Sequence, residues 1–156
     1  MGLEIKFNDL SKEILSKIQE NIDAANEAVG LAAEAHVKEA TPVRTPESTS
    51  IKNYHGGALR KSITHKVVDG TVFVGTNLRV TNNGKSVSYP IFVEFGTGIY
   101  ADGGKGRKSP WVWKDKNGKY HFTRGIKPHH FLKNTISKAE NIKEYKEIYE
   151  NQLKKI

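Results

Sequence analysis

The sequence predicts an α+β domain, with a long amphipathic helix first, a central antiparallel sheet of hairpins, and a C-terminal helix packed on that sheet. Three observations predict it. Apolar residues recur at helical spacing through residues 9–40 without an interrupting proline. Asp-Gly and Asn-Gly pairs sit between β-branched or aromatic runs in the middle of the chain. A second helical periodicity then follows Pro128. At 156 residues the chain is long enough for one core and too short for two, so residues 1–156 are read as a single domain.

The first helix, residues 9–40, carries Leu10, Ile14, Ile18, Ile22, Ala25, Val29 and Ala33 on one face. Asn8 or Asp9 can cap its start, Glu13 and Lys17 pair one turn apart, and Thr41-Pro42 ends it, since a residue before proline avoids helical angles. At 1.5 Å per residue such a helix spans roughly 48 Å, so one end is expected to protrude. Its alanine-rich second half offers a thin surface for close packing, and Gly30 is read as the site of a bend.

Residues 45–57 combine proline, serine, threonine and glycine without periodicity and are read as a mobile loop. The sheet region spans 58–127. Asp69-Gly70 between residues 62–68 and 71–76 is the strongest hairpin signal, and Asn83-Gly84 marks a second turn between 78–81 and 86–89. Pro90 ahead and Gly96 behind IFVEF favour a short helix at 90–95. Residues 101–109, ADGGKGRKS, are expected to be a flexible basic loop with nothing to anchor it. The third hairpin places Trp111-Val112-Trp113 and Tyr120-His121-Phe122 around DKNGK. The last helix is read as continuous over 131–153, with Leu132, Ile136, Ala139, Ile142, Tyr145, Ile148 and Tyr149 inward.

Composition excludes several chemistries. There is no cysteine, hence no disulfide, thiolate nucleophile or Cys-ligated zinc. No run approaches the ~20 apolar residues of a membrane span, and the first residues lack the apolar core of a secretory signal, so a soluble protein made in the cytoplasm is expected. The net charge of +8 is uneven: residues 9–40 hold 3 basic and 7 acidic residues, residues 41–130 hold 15 and 5. That field suits nucleic acid, an acidic protein surface, or head-to-tail packing of copies.

A catalytic constellation is not legible. No Gly-x-Ser-x-Gly elbow or phosphate-binding Gly-x-x-x-x-Gly-Lys-Ser/Thr loop occurs, so no catalytic residue, cofactor or nucleotide site is assigned. His121, His129 and His130 lack metal-ligand spacing, and no metal site is assigned. Glu94 stands alone in an apolar run; a structural ion pair with a cation such as Arg60 or Arg124 is the expected partner, ahead of a general-base role. Trp111, Trp113, Tyr120 and Phe122 among lysines mimic a base-stacking platform, but burial of one hairpin face in the core or a subunit contact is the favoured reading.

Three ordered motifs carry a resemblance. Thr41-Pro42-Val43-Arg44-Thr45 with Gly57-Ala58-Leu59-Arg60-Lys61-Ser62-Ile63 is similar to TPVRTGALRxSI. Tyr89-Pro90-Ile91-Phe92-Val93-Glu94-Phe95-Gly96-Thr97-Gly98 is similar to YAxYVEFGTG, and Gly125-Ile126-Lys127-Pro128-His129-His130-Phe131-Leu132 to G-x-x-P-x-P-F-L. In this the chain resembles the tail-completion, or head-tail joining, proteins of long-tailed bacteriophages. Residues 46–56 split the first motif, and His130 replaces the second proline of the third, leaving Phe131 as the anchor.

The resemblance implies a non-enzymatic structural subunit of the virion neck, made in the host cytoplasm and assembled at the head-proximal end of the tail. It implies a ring, expected as a hexamer, that contacts the tail terminator or tail tube on one side and the head connector or stopper on the other. Motif residues Arg44, Leu59, Arg60, Glu94, Phe95, Gly96, Thr97, Gly98, Trp111, Trp113, Pro128 and Phe131 then become structural or interface candidates. Lys105, Arg107 and Lys108 become candidates to face genomic DNA in the channel without sequence readout. The alternative is a basic DNA-binding protein acting outside the neck.

Overall fold

The computed structural model describes residues 10–43, 56–82, 84–114 and 118–155. The architecture is α+β, as the sequence predicts. Helix α1 (Ser11–Ala40) leads to a short α2 (Ala58–Ser62) and the hairpin β1 (Ile63–Val68) and β2 (Thr71–Thr76). Hairpin β3 (Arg79–Asn82) and β4 (Lys85–Ser88) runs into α3 (Tyr89–Phe95); β5 (Trp111–Lys114) and β6 (Tyr120–Thr123) precede α4 (Phe131–Ile136) and α5 (Ala139–Leu153). The expected caps Asn8 and Asp9 and most of the expected mobile loop lie outside the described residues.

The hairpin turns form where glycine permits them. In β1–β2, Val68 faces Thr71, and Asp69 and Gly70 both take positive φ (49° and 71°), as a two-residue turn matched to strand twist requires. The other two hairpins pair Asn82 with Lys85 and Lys114 with Tyr120. They remain three separate two-stranded sheets.

Only the second half of α1 is covered. Ala25, Asn26, Gly30, Ala33 and Val37 are buried, while Leu10, Ile14 and Leu15 are 50, 53 and 64% exposed. The small residues decide this: β1, β2, α4 and α5 all pack on α1, and the backbones approach closely only where side chains are short. Gly30 opens space for the His65 ring, into which a Cβ would intrude. The core gathers Val37, Leu59, Ile63, Val93 and Phe131, with Val74, Leu78 and Leu132 packed against it.

The last helix is two helices. Lys138 is extended (φ −65°, ψ 125°), separating α4 from α5, and the broken ends are satisfied locally. Ser137 Oγ donates to the Lys133 carbonyl at 2.7 Å, and Asn141 Nδ2 donates to the Thr135 carbonyl at 2.9 Å. Ile136 at the end of α4, and Ala139 and Ile142 in the first turn of α5, expected inward, are exposed. Tyr145, Ile148 and Tyr149 are half-buried. Tyr145 meets the His36 ring of α1 through a 3.0 Å hydrogen bond.

Candidate functional site

The three motifs meet around one core. In the first, Leu59 enters the cluster with Ile63, and Gly57 (φ 92°) turns the chain into α2. Arg60 reaches back to the end of α1, where Nη2 donates to the carbonyls of Thr41 at 2.9 Å and Glu39 at 3.4 Å. A cation there complements both the orphan carbonyls and the helix dipole. Arg44 lies outside the described residues.

The second and third motifs are laced together along their backbones. His129 N–H donates to the Val93 carbonyl (2.9 Å), His130 N–H to the Glu94 carbonyl (3.1 Å), Thr97 N–H to Ile126 (2.9 Å) and Ile99 N–H to Arg124 (3.0 Å). Thr97 Oγ1 accepts from Ile126 N–H at 3.0 Å. The two segments approach so closely that a Cβ on Gly98 would strike the Arg124 carbonyl, and one on Gly125 the Thr97 carbonyl. Both glycines also hold positive φ (63° and 122°), so neither position accepts a side chain without strain. Gly96 and Pro128 belong to the same seam, since a Cβ on Gly96 would meet the proline ring.

Glu94 is buried, and its partner differs from the expected guanidinium. Its two carboxylate oxygens accept from the backbone N–H groups of Leu132 and Lys133, each at 3.0 Å. Those N–H groups are the unsatisfied donors at the start of α4, so Glu94 caps a helix 38 residues away in sequence. Arg60 is engaged with α1 instead, and Arg124 contributes its carbonyl to Ile99.

His130 has φ 50°, a conformation proline cannot adopt, so the backbone here differs from one bearing the second proline of the similar motif. Its Nε2 lies 3.5 Å from Asp102 Oδ2, while His121 stacks on Trp113 at 4.5 Å between ring centroids. His129 is exposed, and among the described residues no three His, Asp or Glu side chains converge as metal ligands.

A cluster that sequence reasoning missed lies over Gly30. His65 Nδ1 is 2.6 Å from Glu34 Oε2, His65 N–H donates to the same oxygen at 2.9 Å, and His65 Nε2 is 2.9 Å from Glu27 Oε1. Lys38 also bonds Glu34. Lys38 first and His65 second hold the Glu34 carboxyl down at about 2, and Glu34 foremost pushes the His65 imidazole above its usual range. The available signal was two acids flanking a mid-helix glycine at −3 and +4.

The basic loop is anchored, contrary to expectation. Two 3-10 turns (Gly98–Tyr100 and Asp102–Gly104) organise it, and Gly106 packs so tightly on Gly98 that a Cβ has no room. Lys108 Nζ donates to the Gly104 carbonyl at 2.6 Å; Arg107 Nε donates to Ser109 Oγ at 3.0 Å, and its guanidinium sits 5.6 Å from the Trp111 ring centroid. Lys105, Arg107 and Lys108 all remain exposed.

Beyond this hub, apolar surface is left open. Phe131 is 3% exposed and anchors the core, whereas Phe95, from the second motif, is 47% exposed alongside Ile91 and Phe92 on the outer face of α3. On the β5–β6 hairpin, Val112, Tyr120 and Phe122 are 59, 69 and 65% exposed, and Trp113 is exposed as well. Trp111 is half-buried. Burial in the core, one half of the favoured reading, therefore fails for Trp113, Tyr120 and Phe122; a subunit contact and a base-stacking platform both remain as readings of these exposed rings.

Compared with known proteins, the chain matches no family model, no curated protein and no solved structure.

Proposed function

We propose that this chain is a non-enzymatic structural subunit of a tailed-phage neck, a tail-completion or head-tail joining protein that assembles as a ring between tail and head connector. The observation that carries the reading is the employment of the motif side chains. Arg60 closes one helix end, Glu94 opens another, Leu59 and Phe131 fill the core, and Gly98 and Gly125 bring backbones together. Residues so engaged serve architecture; what faces outward is apolar surface and charge of both signs, from which an assembly surface can be built. Lys105, Arg107 and Lys108 are exposed on an anchored loop, a suitable place for non-specific phosphate contact in a channel.

Light scattering on the purified protein, repeated with phage tail tubes or tail terminator added, tests the proposal. A ring, or a monomer that joins tails stoichiometrically, is expected. A protein that stays monomeric, ignores tails and holds duplex DNA tightly at about 0.15 M salt would instead be a DNA binder acting elsewhere, its log affinity falling steeply with log salt. Neutralising Lys105, Arg107 and Lys108 together is expected to leave assembly intact and alter DNA retention; loss of the ring would assign the loop to a subunit contact.

A further inference from the structure

Ion pairs between described residues divide by reach. The lysine pairs, such as Lys38 with Glu34, join residues within about a turn of each other. The histidine pairs join separate elements: His36 with Glu144, His130 with Asp102, and His65 with both Glu27 and Glu34. His65 stands apart from the other two. It has a carboxylate on each ring nitrogen, at 2.6 and 2.9 Å, where His36 and His130 each have one carboxylate at 3.5 Å.

A carboxylate only accepts hydrogen bonds, and a neutral imidazole carries one N–H and one lone pair. Two carboxylates at bonding distance therefore require both ring nitrogens to donate, which only the imidazolium does. Ile63, His65 and Val67 alternate on the more buried face of β1, so His65 is a polar group among apolar neighbours, its side chain 10% exposed. The charged groups facing it all come from α1: Glu34, whose other oxygen is held by Lys38, and Glu27. Across the hairpin it faces Val74, which is uncharged. Beyond this contact the two elements oppose like charges, since Asp23 and Glu27 of α1 and Asp69 of the β1–β2 turn line one open groove.

We propose that the His65 imidazolium is a proton-operated latch: it fastens the β1–β2 hairpin to α1 across an acidic groove, and loss of its proton frees the outer part of the hairpin while the hub stays folded. Deprotonation removes the charge that bridges Glu27 and Glu34 and turns one ring nitrogen into an acceptor facing a carboxylate oxygen. It also leaves Asp69 opposed to Asp23 and Glu27. The base of the hairpin is held independently, because Ile63 lies in the core and Val74 packs against it. Opening is thus confined to residues 66–73 and to the His65 backbone N–H, which donates to Glu34 Oε2 at 2.9 Å. Glu34 foremost raises the imidazole above its usual range, so the latch is closed below about pH 6.5 and opens as pH rises through the folded value. The inference is independent of the neck reading.

Nitrogen-15 NMR of the full chain reads the latch directly. At about pH 6 both His65 ring nitrogens are expected to resonate as protonated, and a lone-pair nitrogen there overturns the proposal. Amide hydrogen exchange, corrected for the intrinsic rate at each pH, reads the opening. Protection of the His65 N–H and of residues 66–73 is expected to be flat up to about pH 6.5 and then to fall about tenfold per pH unit, one proton being released, until His65 has finished titrating. The N–H groups of Leu132 and Lys133, held by Glu94, are expected to keep their protection over the same range. Hub and hairpin losing protection together would mean a change in whole-fold stability and overturns the latch; so does hairpin protection that ignores pH. Glu27→Gln, at a side chain 59% exposed, takes away one facing charge without touching the core. It is expected to lower the His65 titration midpoint and to move the loss of hairpin protection to lower pH with it. An unmoved midpoint, or a midpoint that moves while protection does not, overturns the proposal as well.

Discussion

The motif hub and the β5–β6 hairpin are built from similar residues and treat them in opposite ways. In the hub, aromatic and charged side chains face inward: Phe131 is sealed in the core and Glu94 holds two backbone N–H groups. In the hairpin, Phe122 and Tyr120 lie in water and Lys114 sits 5.4 Å from the Tyr120 ring. The hub lies against α1, a second layer that closes over Phe131, while Val112, Tyr120 and Phe122 of the hairpin stand uncovered. Aromatic content alone therefore does not say what is core; a second layer does.

The comparison is most strongly tested by removing the hub's anchor. Phe131→Ala leaves a cavity among Val37, Leu59, Ile63 and Val93 and is expected to cost about 3–5 kcal/mol in urea unfolding. Glu94→Ala removes the acceptor for Leu132 and Lys133 and is expected to cost about 2 kcal/mol, with amide exchange accelerated first in α4.

A smaller effect comes from the clasp over Gly30. The His65 imidazole is raised, so its contribution is full below its unfolded pKa near 6.5 and fades as pH rises through the folded value. The Glu34 carboxyl is lowered, so its contribution is full above its unfolded value of 4.5 and fades as pH falls toward about 2. The melting-temperature gap between the parent and His65→Gln is thus expected to be widest between about pH 4.5 and 6.5 and to narrow on either side. Smallest of all, Phe122→Ser is expected to change monomer stability in urea unfolding by less than about 0.5 kcal/mol. A large loss of monomer stability from Phe122→Ser would erase the distinction between hub and hairpin.

Much of the fold was legible because local rules decide it. Asp69-Gly70 marks a turn through the angles those residues tolerate, and Pro90 with Gly96 brackets α3. What escaped was decided by distant partners. The apolar stripe of α1 is uniform from Leu10 to Ala33, and only the packing of other elements separates its covered half from its bare one. The periodicity of Leu132, Ile136, Ala139 and Ile142 runs straight through the break at Lys138, because side-chain capping by Ser137 and Asn141 leaves no trace in an apolar pattern. Glu94 was recognised as a carboxylate needing a partner, but backbone amides carry no sequence signature, and a guanidinium was expected in their place. At the candidate site, the sequence names the motif residues, and which of them faces outward had to come from three dimensions: Phe95 does, Phe131 does not.

The seam between the second and third motifs has a consequence for variation. Ile99 is pinned to Arg124 and Gly98 to Gly106, so residues 107–123 leave and return through a closed gate of main-chain contacts. Lengthening an excursion pinned at its base costs only about 0.6 kcal/mol per doubling. The hairpin is thereby an exchangeable cassette in a constant socket: its tip can be lengthened, recoloured in charge or replaced while the hub folds unchanged, and partner preference can diverge without the fold having to follow.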